Sequence, residues 1–509
     1  MCDGSVTRVL MILEVSQKQA FIFGSNKLAE NLTRSNVIRY VTDPAFFAAV
    51  CPDGFDQSAN MVYTGGGHTV LQFPDGDAAR AFAGAVSRAV LEQFPGVELF
   101  VKTMAYDDAR TPAENLLALS QALEAKKSRR QAAFYPRSLG VEQPASPQYD
   151  LPEKYGPAPE APQGWHLTTD GEALCGDDNF VAVVHIDGNA MGARVQNLYN
   201  APANRDWDTC VAALRTFSES IDEDFDAAYR QTAAQIAQRL PEWPTNILPL
   251  RRVIGAGDDV CFLTAGSLGL EAAALFLQNL SARTNRQDQQ PYAACAGVVL
   301  VHRKSPFRAA YDLSESLCSS AKRYGAQYDA NGSLCLMDWH IEFGELPDSL
   351  AQIRSRYITR DGALLTLRPL VVCSVREPRT PPPPEHSYGY FTALMALFHK
   401  NTEGLARSKI KALRTAFSQG EVETELALRS MNLKTMQERG VELLYDWKDT
   451  LAAKASGWMR APSGAGREPD KRVFFEETAP DGTTTKHCRF FDVIELIDHF
   501  TPLGEEGTP

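Results

Sequence analysis

The chain has 509 residues, with 51 Lys+Arg against 63 Asp+Glu for a formal net charge of −12, and it is 44% hydrophobic and 22% charged. That is the make-up of a globular protein with room for roughly two to four domains. A pI near 5.4 excludes a broad sequence-independent grip on nucleic acid, but not a local basic groove or a nucleotide held through metal ions.

The first region, about 1–135, opens with RVLMILEV (8–15), a strand, after which AFIFGSNKLAENL (20–32) begins a helix. MVYTGGGHTVLQF (61–73) reads as a hairpin turning on Gly65, Gly66 and Gly67. A helix over Ala78–Phe94, the strand VELFVKTM (97–104) and a helix over Thr111–Gln131 follow. Thr111-Pro112-Ala113-Glu114 is a capping box with proline at the first helical position. The stretch 136–178 holds seven prolines and few apolar runs, which marks a connector.

The second region, 179–376, repeats the order of elements. VAVVHID (181–187) is a strand ending at an aspartate, and apolar residues from Val211 to Leu240 recur at helical steps. LRRVIGAGDDVCFLT (250–264) is a hairpin turning at Gly255–Asp259. A helix (267–280), the strand YAACAGVVLVH (292–302) and a helix from Pro306 to about Tyr324 complete it. EPRTPPPPEH (377–386) is a stiff spacer. The third region, 387–509, is mostly helical from Tyr388 to about Ala455, then closes with strand-like RVFFEE and KHCRFF and the helix DVIELIDHF. The expected fold is therefore α+β, with two ferredoxin-like palm domains followed by a mostly helical C-terminal domain.

Singly, Asp-Gly-Asn after a strand and Gly-Asp-Asp in a hairpin are ordinary turns. In a βαββαβ sheet, however, the end of the first strand lies beside the hairpin turn. Asp187, Asp258 and Asp259 then converge, and clustered carboxylates repel unless a cation sits among them. Oxygen-only ligation suits Mg²⁺ or Mn²⁺, and two such ions would serve nucleotide transfer. Gly188, Asn189 and Gly192, leading into a helix, offer backbone N–H groups to phosphates. Gly255 and Gly257 let a nucleotide approach without a Cβ. Lys322 is the first candidate for a cationic phosphate partner, on a helical stripe with Tyr311 and Cys318. The first palm keeps its glycines but ends its strand in Glu14-Val15-Ser16 and lacks an aspartate pair; it either holds a second nucleotide or braces its twin. His68 reads as a hairpin polar residue rather than a catalyst.

The ten scattered cysteines form no CxxC pair and read as buried thiols. No apolar stretch has membrane-spanning length, and MCDGSVTRVLMILEV lacks a secretion-signal layout, so a cytoplasmic protein without membrane contact is expected.

HIDGNAMG (185–192) followed by GAGDDVCF (255–262) resembles the active palm of the large, polymerase-like subunit of type III CRISPR complexes. LEVSQKQAFIFGSNKL (13–28) and YTGGGHTVLQF (63–73) are similar to that family's degenerate first palm. Further similarity lies in 302–323, LMDWH (336–340), LTLRPL (365–370) and RSKIKALRTAF (407–417). The resemblance implies a synthase that joins ATP, or other NTPs, through 3′–5′ linkages into cyclic oligonucleotide signals of antiviral defence. It implies metal binding by Asp187, Asp258 and Asp259, and leaves RNA and other defence proteins open as partners. Ala256 stands where the family has glycine. No His-Asp dipeptide or connector zinc ribbon is found, which makes the chain a reduced relative. A nucleotide-binding scaffold without turnover remains the competing reading.

Overall fold

The computed structural model describes residues 8–129, 148–152, 155, 161–240, 243, 245–344, 349–400, 406–446 and 472–504. Parts of the Pro-rich connector (136–147, 153–154 and 156–160) and the end of the predicted C-terminal helical run lie outside them.

The first sheet contains β1 (Val9–Ser16), β2 (Met61–Gly65), β3 (His68–Phe73) and β4 (Glu98–Ala105), in the order β2-β3-β1-β4. The second contains β5 (Phe180–Gly188), β6 (Leu250–Ala256), β7 (Asp259–Ala265), β8 (Ala294–His302), β9 (Leu334–Ile341) and β10 (Leu370–Ser374), in the order β10-β9-β8-β5-β7-β6. Reading β8-β5-β7-β6 against β4-β1-β3-β2 gives the same four-strand antiparallel arrangement twice. This is the ferredoxin-like topology expected from the order of elements. β9 joins parallel to β8 and β10 antiparallel to β9, an extension of the second sheet that the sequence reading saw only as motifs.

β5 is central and covered on both faces, which is why it reads as a continuous β-branched run rather than an alternating one. Its neighbours identify the two covers. A Cβ on Gly269 would stand 3.2 Å from Val298, so helix Gly269–Ser281 lies on the face of Val298. A Cβ on Gly297 would stand 2.6 Å from the Cys318 nitrogen, so helix Phe307–Tyr328 lies on the other. Adjacent strand residues point to opposite faces, and His185 meets Tyr311 of that second helix, 5.4 Å between ring centres. Asp187, two residues on, therefore shares that helix's face.

The palms interlock reciprocally. The long helix Trp207–Arg239, following β5, lies against β2: Trp207 donates to Gln72 (2.8 Å), Arg215 to the Met61 carbonyl and Ser218 to the Thr64 carbonyl. The helix Leu28–Val41, following β1, lies against β6. In place of the single helix expected in that first crossover, the chain makes Lys18–Ile22 and Leu28–Val41, broken at Gly24, and adds the short helices Pro44–Val50 and Gln57–Asn60 before β2. The capping box at Thr111 forms as expected at the start of Pro112–Ser128. Pro306 caps its helix rather than occupying the first turn.

The C-terminal part is helical over Tyr388–Lys400, Arg407–Gln419, Glu421–Ser430 and Lys434–Asp446. It ends in the hairpin β11 (Phe474–Thr478) and β12 (Thr484–Cys488) and the helix Phe491–Leu496. The predicted polyproline spacer is not free: it closes in the turn Pro384–His386, whose Glu385 and His386 are buried, and Ser387 bridges Val371 of β10. All nine described cysteines are free thiols, eight of them buried.

Candidate functional site

The register of β5 and β7 sets Asp187 directly opposite Asp259. Directly opposed residues of an antiparallel pair point to the same face, here that of Tyr311 and Lys322. The turn between β6 and β7 is Gly257-Asp258, with Gly257 at φ +66°, a conformation that favours glycine. Asp258 returns its carbonyl to the Gly188 N–H (3.3 Å), tying the turn to the end of β5. The three sequence-identified aspartates are thus brought to one sheet edge.

Burial and mutual repulsion dominate their electrostatics. Burial, then the neighbouring Asp187 charge, pushes Asp258 up to about 6. The same causes, with Asp258 added, push Asp259 up to about 7. Asp259 Oδ1 is buried without a hydrogen-bond partner, 3.5 Å from the Nδ1 of His185, which burial lowers to about 4 and so keeps neutral at pH 7. A carboxylate cluster whose charge exceeds that of its neighbouring lysines, with one orphaned oxygen, fits a hard divalent cation.

Lys322 donates to Asp187 Oδ2 (2.7 Å) and to the Gly188 carbonyl (2.8 Å). The lysine expected from its helical stripe to meet phosphate is paired with a carboxylate in the folded chain. The first palm shows the same device. Glu14 opposes His68 in register, as Asp187 opposes Asp259, and Lys127 of the equivalent helix donates to Glu14 (2.8 Å). A lysine on the end of the first strand is therefore a feature of both palms.

Asn189 is likewise committed. Its Nδ2 donates to the carbonyls of Gly332 (3.1 Å) and Leu334 (2.9 Å), bracing the β5 exit rather than facing open space. Met191 opens the helix after β5, following Ala190 in the left-handed region, and a Cβ on Gly192 would meet nothing within 4 Å.

The open space lies around the hairpin turn. A cavity of 790 Å³ is bounded by Gly65–His68 of the first palm and Gly255–Val260 of the second, with Lys18, Arg39, Asp222, Arg230, Arg251 and Arg252 around it. The two glycine turns face each other: a Cβ on Gly257 would stand 3.6 Å from the Gly66 nitrogen. Asp258 and Asp259 line this cavity; Asp187, Gly188, Asn189, Gly192 and Lys322 are not among its walls. Gly257 N–H donates to Asp222 (2.9 Å), a carboxylate raised by burial.

Lys18 is the cation that sequence reasoning missed. It donates to the Gly66 carbonyl, and burial lowers its pKa against the pull of Glu14 and Asp259. No motif marks it, since it follows the left-handed Gln17 at a strand exit and is placed by the tertiary fold alone.

Among the described residues, three ligand atoms of His, Cys, Asp or Glu lie within 4.8 Å of one another at His386, Glu477 and His487. The aspartate trio is more open than that.

The two sheets define a paired ferredoxin-like fold in which the hairpin turn of the second sheet carries an aspartate pair and that of the first does not. No protein-family model matches the chain, and no curated protein does. Its fold is that of solved chains of Csm1, the large polymerase-like subunit of type III-A CRISPR complexes. The Csm1–Csm4 cassette in complex with cA3 matches over 97% of this chain and 70% of that one, at 14% identity and a TM-score of 0.51. The cassette with pppApA matches over 89% and 66%, at 14% identity and 0.51. The cassette with cA4 matches over 88% and 66%, at 13% identity and 0.50. Against the apo cassette the match covers 64% of this chain and 54% of that one, so this chain spans only part of the length of its solved neighbours. Among the described residues no helix is long and apolar enough to cross a membrane.

Proposed function

We propose that the chain is a metal-dependent nucleotidyltransferase that joins ATP, or another nucleoside triphosphate, through 3′–5′ linkages into cyclic oligonucleotide messengers of antiviral defence. The observation that carries this reading is the opposition of two glycine hairpins across one cavity, with an aspartate pair on only one of the two hairpins. That asymmetry gives a donor position and an acceptor position. The cavity's 790 Å³ falls in the usual range for small-molecule sites, roughly 300–1,000 Å³. The solved cassettes of the same fold are complexes with pppApA, cA3 and cA4, which supports an oligoadenylate class of product.

In this reading Asp187, Asp258 and Asp259 hold Mg²⁺ or Mn²⁺, which when bound would activate a ribose hydroxyl and neutralise the triphosphate. Gly255 and Gly257 admit the donor nucleotide close to the turn, and Asp222 fixes the turn through the Gly257 N–H. Gly65, Gly66 and Gly67 admit the acceptor. Lys18 sits between the two turns, where it offers positive charge to phosphate. The units 1–135, 179–376 and 387–509 would act as acceptor palm, catalytic palm and partner-binding part, with a Csm4-like protein or RNA as the partner class.

A second reading, a nucleotide-binding scaffold without turnover, is favoured by Lys322 occupying Asp187 and by the open spacing of the trio. Incubating the protein with each NTP and Mg²⁺ or Mn²⁺, with and without RNA, and reading products by mass spectrometry separates the two. Wild type should release pyrophosphate and form phosphodiester products, and the Asp258→Ala, Asp259→Ala double variant should not. Nucleotide binding without product under every condition would leave the scaffold.

A further inference from the structure

The geometry points to a transition-metal site in the C-terminal part of the chain, formed by His386, Glu477 and His487 and suited to zinc. The hairpin register pairs Phe475 with His487 and Glu477 with Thr485, so Glu477 and His487 project from one face of that hairpin. His386 reaches that face from the turn Pro384–His386, whose place in the chain is 91 residues away from Glu477.

His386 Nε2 stands 2.6 Å and His487 Nε2 3.8 Å from the same atom, Glu477 Oε2. Around a tetrahedral zinc with bonds of about 2.0–2.1 Å, neighbouring donors stand about 3.3 Å apart. The two observed separations bracket that value, so small side-chain shifts would admit the ion. The imidazoles meet edge to face, 5.6 Å between centres at 81°, which lets both nitrogens address one point.

Part of the outer shell is in place as well, although the Nδ1 of His386 is buried without a hydrogen-bond partner. The Nδ1 of His487 faces the Thr366 carbonyl at 3.1 Å, which fixes the ring with Nε2 inward. Tyr328 donates to the other Glu477 oxygen (3.3 Å). All three ligands are nearly buried; His487, at 12%, is the most exposed and gives an entry route.

A plain ion pair explains less. One protonated histidine would neutralise Glu477, yet two imidazoles are aimed at one carboxylate oxygen. A divalent ion satisfies all three ligands at once. Two histidines and one carboxylate form a zinc donor set that leaves a fourth position for water. The site would staple the terminal hairpin to the palm helix carrying Tyr328 and to the turn after the second palm.

The full chain, stripped with chelator and returned to excess Mg²⁺, should take up one equivalent of Zn²⁺ at submicromolar affinity. Co²⁺ in its place should give the intense visible bands of a four- or five-coordinate site with histidine ligands. His487→Gln and the His386→Gln, His487→Gln double variant should lose stoichiometric uptake, and the Asp258→Asn, Asp259→Asn variant should keep it. Wild type that binds no zinc tighter than micromolar, a purely octahedral cobalt spectrum, or uptake retained in the double histidine variant would each overturn the site. The cobalt spectrum is read on wild type, so it stands even if a ligand variant fails to fold.

Discussion

Asp259→Asn should make the metal-free protein more stable at alkaline pH and leave it unchanged in acid. The folded carboxyl titrates near 7 against an ordinary 3.8, so the folded state holds its proton more tightly than the unfolded chain. The resulting cost of ionisation is absent below the unfolded value, grows as pH rises between the two, and is complete above about 7. At about 1.4 kcal/mol per unit the full shift would correspond to roughly 4 kcal/mol. The side chain is 35% exposed, and solvent screening reduces the expected gain to about 1–2 kcal/mol. That is a rise of about 2–5 °C in the unfolding midpoint. Differential scanning calorimetry at pH 8.5 and pH 4.5, each with chelator and with Mg²⁺, reads it. Mg²⁺ at a hundredfold excess over its Kd would stabilise wild type by about 2.7 kcal/mol and the variant less, which reverses the order at pH 8.5. A variant no more stable than wild type at pH 8.5 without metal refutes the electrostatic account. Equal Mg²⁺ stabilisation of both proteins refutes Asp259 as a ligand.

Gly297→Ala should cost more than about 3 kcal/mol or prevent soluble expression, because its Cβ would stand 2.6 Å from the Cys318 nitrogen and closer still to the Ser314 carbonyl. Gly192→Ala, with nothing within 4 Å of the new methyl, should be neutral or stabilise by up to about 1 kcal/mol in urea unfolding. Lys322→Gln leaves Asp187 without its cation and should destabilise by about 1–3 kcal/mol; a double-mutant cycle with Asp187→Asn should recover most of it. Lys18→Met should weaken ATP binding in a calorimetric titration while leaving the fold intact, and unchanged affinity would remove Lys18 from the phosphate site.

The palms were legible because each carries uninterrupted apolar strands and glycine hairpins, signals that depend on neighbours in sequence. β9 and β10 escaped notice as strands because Leu334–Ile341 and Leu370–Ser374 follow the repeat rather than belonging to it. The aspartates could be brought together from topology alone, since opposition of Asp187 and Asp259 is a consequence of register. The fate of Lys322 and Asn189 could not: whether a polar side chain faces a cavity or a carbonyl depends on which partner the fold supplies. Lys18 and the His386, Glu477, His487 group were invisible for the same reason, each being assembled from segments far apart in the chain.

The repeat also explains why only one palm would carry metal. Both palms place an acidic residue at the end of the first strand and a lysine of the last helix upon it, Glu14 with Lys127 and Asp187 with Lys322. The difference lies opposite that residue, where the first palm has His68 and the second Asp259. Burial lowers His68 to about 4, with Lys18 adding to the effect, so at pH 7 it is a neutral imidazole. A neutral ring beside a lysine-paired Glu14 needs no further cation. With Asp187, the two aspartates of the equivalent turn make three carboxylates against Lys322 and Lys18, and the excess charge creates a demand for a cation in the second palm that the first does not have. His68→Asp should transfer that demand: with Glu14 already opposite, the variant should bind a second divalent ion, read as added Mn²⁺ stoichiometry. Unchanged stoichiometry in a folded variant would show that the β-hairpin partner does not decide which palm is the metal palm.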